Sequence, residues 1–165
     1  MAELFRRLSS GVYVVGVATA AQRDAFTASS IAQASYEPLM ISMAVNRAHG
    51  AFALLCQAEA FALSVLGADR TDLAAHFGRP AARGVDKLQG CAWFPGHQGA
   101  PILSCGIAYF DCTICEMLSA GDHEVVLGKV IDGAIIDAAS APLLYAGTGD
   151  LDGSSKLFPD RFSAL

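Results

Sequence analysis

The chain has 165 residues and a formal net charge of −5, with 53% hydrophobic and 16% charged residues. That length fits a single domain, residues 1–165, and the lack of a Lys/Arg cluster argues against a nucleic-acid or anionic-membrane partner. The charged fraction is below the roughly 25% usual for a soluble domain, and no apolar run reaches the about 18 residues of a membrane span, so the shortfall predicts apolar surface buried in an oligomer.

The opening MAELFRRLSS lacks a basic start, an apolar run and a small-residue cleavage site, so no secretory leader is expected. Leu4 to Leu8 is short and helical in character. Gly11 to Thr19 is β-rich, and Ala20 to Ala25 is a polar turn carrying Arg23 and Asp24. Phe26 to Ser35 reads as one strand of small and hydroxylated residues. Glu37-Pro38 breaks it, because a residue before proline avoids the helical region. Leu39 to Val45 is a buried strand, Ala48 to Cys56 a helix and Phe61 to Leu66 a strand. Thr71 to Phe77 opens with two residues able to cap a helix.

Gly78 to Gly90 is loop-like, and Ala92 to Leu103 is a strand, a glycine-rich turn and another strand. Ile107 to Leu118 and Glu124 to Ile136 are long β segments joined by Ala120-Gly121-Asp122. Beyond the short apolar Pro142 to Tyr145, the polar, glycine-rich Gly147 to Ser155 predicts a mobile tail. About seven strands with few, short helices predict a mainly β, antiparallel barrel or sandwich. The strand–helix rhythm and the G-x-G-x-x-G of a Rossmann domain are missing.

The five cysteines are Cys56, Cys91, Cys105, Cys112 and Cys115. An odd number without a leader predicts reduced thiols in a cytoplasm. Cys112 and Cys115 form a C-x-x-C, but no second pair stands at zinc spacing. In a strand, positions three apart face opposite ways, so structural cysteines are the better reading. His49, His76 and His97 show no ligand spacing, which argues against a metal site.

Three constellations could carry chemistry. Thr27-Ala28-Ser29-Ser30 with Ser35 offers hydroxyls and close backbone approach to a phosphate or a polar ring edge; tightly packed small side chains explain the same composition. Asn46-Arg47-Ala48-His49-Gly50 precedes a predicted helix, where free N–H groups and Arg47 suit a phosphate; Asn46 as a simple helix cap beside a solvated Arg47 is the plainer alternative. His123, in the turn Gly121-Asp122-His123, stands where a functional side chain or an ordinary surface histidine would.

In order along the chain, these segments resemble the flavin reductase-like family. The resemblance runs from Phe26-Thr27-Ala28-Ser29-Ser30-Ile31-Ala32-Gln33-Ala34-Ser35 through Glu37-Pro38, Val45-Asn46 and Phe61 to Leu66. It continues through His76-Phe77-Gly78, Gly84-Val85-Asp86-Lys87 and Gly99 to Leu103. It ends with Gly121 to Val130 and Pro142 to Tyr145.

The resemblance implies a split β-barrel, a homodimer, FMN (FAD also being possible) near the dimer interface, and NAD(P)H as co-substrate. It implies an NAD(P)H-dependent flavin reductase that passes electrons to a monooxygenase or another acceptor; the alternative is an FMN-binding electron-transfer module without efficient NAD(P)H use. Thr27, Ala28, Ser29, Ser30 and Ser35 would then contact the ring and ribityl chain. Val45, Asn46, Arg47 and His49 would lie by the phosphate, Phe77 and Gly78 beside the flavin, and His123 near the ring and nicotinamide as the catalytic candidate. Two positions depart from the pattern: Ala51 and Phe52 stand where many relatives carry Thr-His, and the tail from Gly147 to Ser155 lacks their basic ending.

Overall fold

A computed structural model describes residues 1–80 and 85–159. After a short helix, α1 (Ala2–Phe5), come β1 (Tyr13–Ala18), β2 (Arg23–Ala28), β3 (Ile31–Tyr36) and β4 (Leu39–Asn46). Helix α2 (Phe52–Leu55), β5 (Ala60–Val65) and α3 (Thr71–Gly78) follow. The chain continues through β6 (Trp93–Pro95), β7 (Pro101–Leu103) and the long hairpin of β8 (Ala108–Ala120) and β9 (His123–Ile135). Seven strands form one sheet in the order β2-β1-β5-β8-β9-β4-β3, and β6 and β7 form a separate ribbon. The pairs within both are antiparallel.

The strand order has a geometric consequence. Strands β2 and β3 occupy opposite edges of the sheet, yet only Ser29 and Ser30 separate them. Six inter-strand spacings would set those edges about 29 Å apart in a flat sheet. Three Cα–Cα steps, from Ala28 to Ile31, span at most about 11 Å. The sheet therefore curls until its edges meet at the Ser29–Ser30 corner.

The largest core cluster agrees. It takes Val15 and Val17 from β1, Phe26 from β2, Ile41, Met43 and Val45 from β4, Phe61 and Leu63 from β5, Cys112 from β8 and Val126 from β9. The curled sheet thus gathers its own side chains on its inner face, with Leu54 and Leu55 of α2 completing the cluster. A second cluster on the outer side joins Val12, Val14 and Ala25 to Leu73, Ala74 and Phe77 of α3. The β6–β7 ribbon crosses β1 so closely that a Cβ on Gly16 would stand 1.9 Å from the Pro101 carbonyl oxygen.

Several sequence expectations need correction. Phe26 to Ser35 is two strands, because the chain crosses the seam at Ser29–Ser30, where neither Gly nor Pro marks the break. Arg23 and Asp24 belong to β2, where pairing with Ala18 and Val17 outweighs their polarity; the turn proper is closed by Thr19 N–H donating to Gln22 C=O. Between Ala48 and Cys56 the regular helix covers Phe52–Leu55 alone. Arg70 holds the cap position of α3 without a side-chain cap bond, and Arg70 pairs with Asp72 instead.

The tail folds back onto the N-terminal helix. Asp150 pairs with Arg6 at 3.0 Å and accepts the Ser155 hydroxyl at 2.6 Å, the Tyr145 and Ser154 hydroxyls bond at 2.7 Å, and Phe158 packs on Phe5. Side-chain bonds supply what the polar composition concealed. Part of the Gly78 to Gly90 loop, residues 81–84, lies outside the described residues. Among the described residues, no helix is long and apolar enough to cross a membrane.

Candidate functional site

Edge strand β2 is the spine along which most of the candidate residues gather. Thr27 donates its hydroxyl to the Ala74 carbonyl of α3 at 2.8 Å. A Cβ on Gly78 would lie 3.7 Å from Thr27 Cβ, so Thr27 and Gly78 face each other in ordinary contact. Phe77 is fully buried in the outer cluster, so its backbone, rather than its ring, borders this corner.

At the end of β2, the Ser30 carbonyl accepts the Ala44 N–H at 2.9 Å, which brings Ser30 beside Val45. The Ser29 carbonyl accepts the Ile31 N–H. Neither serine hydroxyl has a partner among the described residues. Ala28 is half-buried opposite Tyr13, and the Val45 side chain is in the core. Ser35 stands apart at the far end of β3, opposite Met40 and about 16 Å from Ser30 along the strand.

The end of β4 meets the tip of the β8–β9 hairpin. Asn46 pairs with His123 in register. The Asn46 side chain donates to Asp122 at 3.2 Å and accepts the Ala48 N–H at 2.8 Å, so it caps the turn before α2 rather than α2 itself. Arg47 is exposed, and its guanidinium bonds Glu124 at 2.8 Å and the Gly121 carbonyl at 2.9 Å. His123 Nδ1 lies 2.7 Å from Asp122. The bond to His123 holds the Asp122 carboxyl below its ordinary value, and Ser119 followed by Arg47 does the same for Glu124.

His49 covers the middle of β2. Its ring stacks on Phe26 with centroids 4.7 Å apart, and its Nδ1 accepts the Ala51 N–H at 3.2 Å. With Ala51 in place of a hydroxyl residue, the histidine itself satisfies the backbone donor before α2. Burial depresses the His49 imidazolium, the Lys87 charge adds to this, and Asp24 opposes it. Lys87 is buried; its Nζ donates to the Phe77 carbonyl at 3.2 Å and lies 3.8 Å from Asp24. Burial pulls its pKa down, against the pull of Asp24.

Beside these groups opens a groove of about 510 Å³ lined by Gln22, Arg23, Asp24, Gly50, Ala51, Ala53, Leu54, Val85 and Asp86. Arg23 is held over the Trp93 ring at 5.1 Å and paired with Asp86 at 3.0 Å. Sequence reasoning gave no role to Arg23, Asp24, Asp86 or Lys87. The available signal was their clustering of charge in a chain only 16% charged. Cys112 is buried, with burial pushing its thiol up to about 12, whereas Cys115 is exposed, as strand geometry predicts.

Comparison with known proteins identifies the family. The model of the flavin reductase-like domain matches residues 5–152. The chain is 30% identical over 128 residues to HsaB, the reductase subunit of a flavin-dependent monooxygenase of Mycobacterium tuberculosis, covering 78% of this chain and 67% of that one. It is 35% identical over 130 residues to a diflavin flavoprotein (A 1) of Thermosynechococcus vestitus, covering 78% of this chain but spanning only 23% of that relative's length. Among solved structures, the NADH:FAD oxidoreductase SgcE6 of Streptomyces globisporus superposes with a TM-score of 0.81 at 29% identity, over 88% of this chain and 86% of that one. The chain therefore belongs to the flavin reductase-like domain family.

Proposed function

We propose that this chain is an NAD(P)H-dependent flavin reductase that works as a homodimer of split β-barrels and holds FMN, with FAD as the other flavin its site admits. The observation that carries the reading is the grouping of Thr27, Gly78, Ser29, Ser30 and His49 along β2, with the in-register pair Asn46–His123 at the ends of β4 and β9 across the seam. The meeting of the β2 and β3 edges at Ser29–Ser30, with no ladder pairing between those strands, supports a barrel split along that seam.

The residues fit a flavin. The adjoining groove falls in the roughly 300–1,000 Å³ range of small-molecule sites, and its wall is polar at Gln22, charged at Arg23, Asp24 and Asp86, and apolar at Ala51, Ala53, Leu54 and Val85. A Cβ on Gly50 would meet nothing within 4 Å, so the groove stays open at the turn before α2. When bound, the flavin supplies a hydride acceptor for a reduced nicotinamide. The free hydroxyls of Ser29 and Ser30 orient the polar ring edge. His123, held by Asp122, donates toward the ring and nicotinamide.

Exposed apolar side chains at Tyr36, Leu39, Leu118, Ile131 and Ile135 support a dimer, since a second copy would remove them from water. The name of HsaB supports delivery of reduced flavin to a partner monooxygenase.

The test is purified protein with NADH or NADPH and added FMN, followed by nucleotide absorbance. Flavin-dependent oxidation is expected; its absence with both nucleotides and both flavins would overturn the reading. One observation favours an electron-transfer module instead: Arg47 and the Ala51 N–H, the expected phosphate partners, are already engaged. Flavin that is reduced by dithionite but not by NAD(P)H would select that alternative.

A further inference from the structure

Cys91 and Cys105 flank the β6–β7 ribbon, one on each side of its base. Trp93 stands opposite Leu103. One step outward, Ser104 N–H donates to the Ala92 carbonyl at 2.9 Å, and at the turn end Gly96 N–H donates to the Ala100 carbonyl at 2.9 Å. Pairs 92/104 and 96/100 are thus hydrogen-bonded pairs. Bonded and non-bonded pairs alternate along an antiparallel ladder, so 93/103 is a non-hydrogen-bonded pair; just outside it the two strands run into turns, closed by Cys91 N–H on the Leu88 carbonyl and by Gly106 N–H on the Leu103 carbonyl, which hold Cys91 and Cys105 at the base of the ribbon.

Side chains at 91, 93, 103 and 105 should then share one face. They do: Leu103 is buried in the outer cluster, and Cys91, Trp93 and Cys105 pack against that same cluster. The flanking Ser104 N–H to Ala92 carbonyl bond draws the two ends of the ribbon together, and a disulfide between its cysteines requires Cα atoms about 4.4–6.8 Å apart. Both thiols are free and half-buried. Burial raises the Cys91 thiol first, and the neighbouring Cys105 second, as expected of adjacent sulfurs. Arg70, bonded chiefly to Asp72, also interacts with Cys105 and brings a positive charge to the pair.

We propose that Cys91 and Cys105 form a reversible oxidation site that closes into a cross-strand disulfide on exposure to hydrogen peroxide. One thiolate attacks the peroxide, the O–O bond breaks, and a sulfenic acid and hydroxide result; the hydroxide takes up the thiol's proton as water. The second thiol attacks the sulfenic sulfur, the S–S bond forms, the S–O bond breaks and a second water leaves. Two thiols lose two electrons in all, and one peroxide becomes two waters. This inference does not rest on the flavin reading.

The site carries its own reporter. Trp93 is the chain's single tryptophan, and it lies on the same face two residues from Cys91. The test treats the full chain with hydrogen peroxide, blocks remaining thiols by alkylation, and maps disulfide-linked peptides by mass spectrometry alongside tryptophan fluorescence. A linkage between Cys91 and Cys105 is expected, with three cysteines still alkylated and a fall in fluorescence that dithiothreitol reverses. Cys91→Ser and Cys105→Ser should each abolish both the linkage and the reversible quenching. Independent alkylation of Cys91 and Cys105 after peroxide would overturn the proposal, as would sulfenic acid that never resolves to the linked peptide or quenching that survives in Cys105→Ser. The wild-type peptide map decides the matter even if a variant folds poorly.

Discussion

Two aspartate–histidine pairs in this chain share their chemistry and differ in their surroundings. Asp122 and His123 lie 2.7 Å apart at the tip of the β8–β9 hairpin, with the carboxylate side chain 80% exposed. Asp111 and His97 lie 3.0 Å apart where β8 passes beneath the β6–β7 turn, with the carboxylate 1% exposed. Asp111 also accepts the His97 backbone N–H at 2.6 Å, while its Oδ1 is buried without a hydrogen-bond partner. A solvated pair contributes little to stability because water competes for both groups. A buried carboxylate that holds a turn is costly to disturb. The first pair is therefore available to a ligand, and the second fastens the ribbon to the sheet.

Breaking the buried pair should give the largest effect. Asp111→Ala strands the His97 N–H and removes the fastening of the turn, a loss of about 3 kcal/mol. A urea melt measures it, and an unchanged midpoint would erase the contrast between the pairs. Gly96→Ala approaches the same point from the other side. Its new Cβ would stand 2.6–2.8 Å from the Asp111 carboxylate, which no flexible chain end can relieve. A loss of about 1–3 kcal/mol follows from overpacking, and combining it with Asp111→Ala should recover part of that cost because the clashing group is gone.

The exposed pair should show the opposite profile. Asp122→Asn and His123→Gln should leave the urea midpoint within error. On the flavin-reductase reading, His123→Gln slows FMN-dependent NADH oxidation on the order of 10–100-fold. A midpoint shift as large as that of Asp111→Ala would make the hairpin tip structural. Acid adds a smaller test. Asp122 and Glu124 have carboxyls held below their ordinary values of 3.8 and 4.5. They stabilise the fold above those values and lose that contribution as pH falls through the lower folded-state values. Glu124→Gln should therefore lower stability slightly near neutrality and flatten the acid limb, the two stability–pH profiles converging at low pH.

The pairs also mark what the sequence could reveal. Short apolar runs around Val15, Ile41, Phe61 and Val126 made the β-rich core legible, because runs of that length rich in β-branched and aromatic residues favour buried strands. The ordered segments from Phe26 to Val130 made the family legible. The crossing at Ser29–Ser30 was not, since its cause is the meeting of two sheet edges and no turn residue signals it. Nor was the tail, whose order depends on Arg6, almost the whole chain away from Asp150. Thr27, Asn46, His49 and His123 were legible as site candidates. The contacts of Arg47 were hidden because its partners Gly121 and Glu124 are distant in sequence, and Lys87 escaped because burial against Asp24 and Phe77 is a tertiary fact.

His49 supplies the smallest effect, one that separates the groove side of β2 from both pairs. Burial against Phe26, with Lys87 nearby, holds its folded-state pKa below the ordinary 6.5. Below about pH 6.5 the unfolded chain binds a proton that the folded chain refuses, so stability falls with pH until the lower folded-state value is passed. His49→Gln keeps a side-chain acceptor for the Ala51 N–H and removes the titration. Between about pH 7.5 and about pH 5.5, the wild-type urea midpoint should decline more than that of His49→Gln, the other three histidines contributing equally to both. Parallel declines would mean that His49 titrates as freely as a surface residue, and that the ring on Phe26 opens to water.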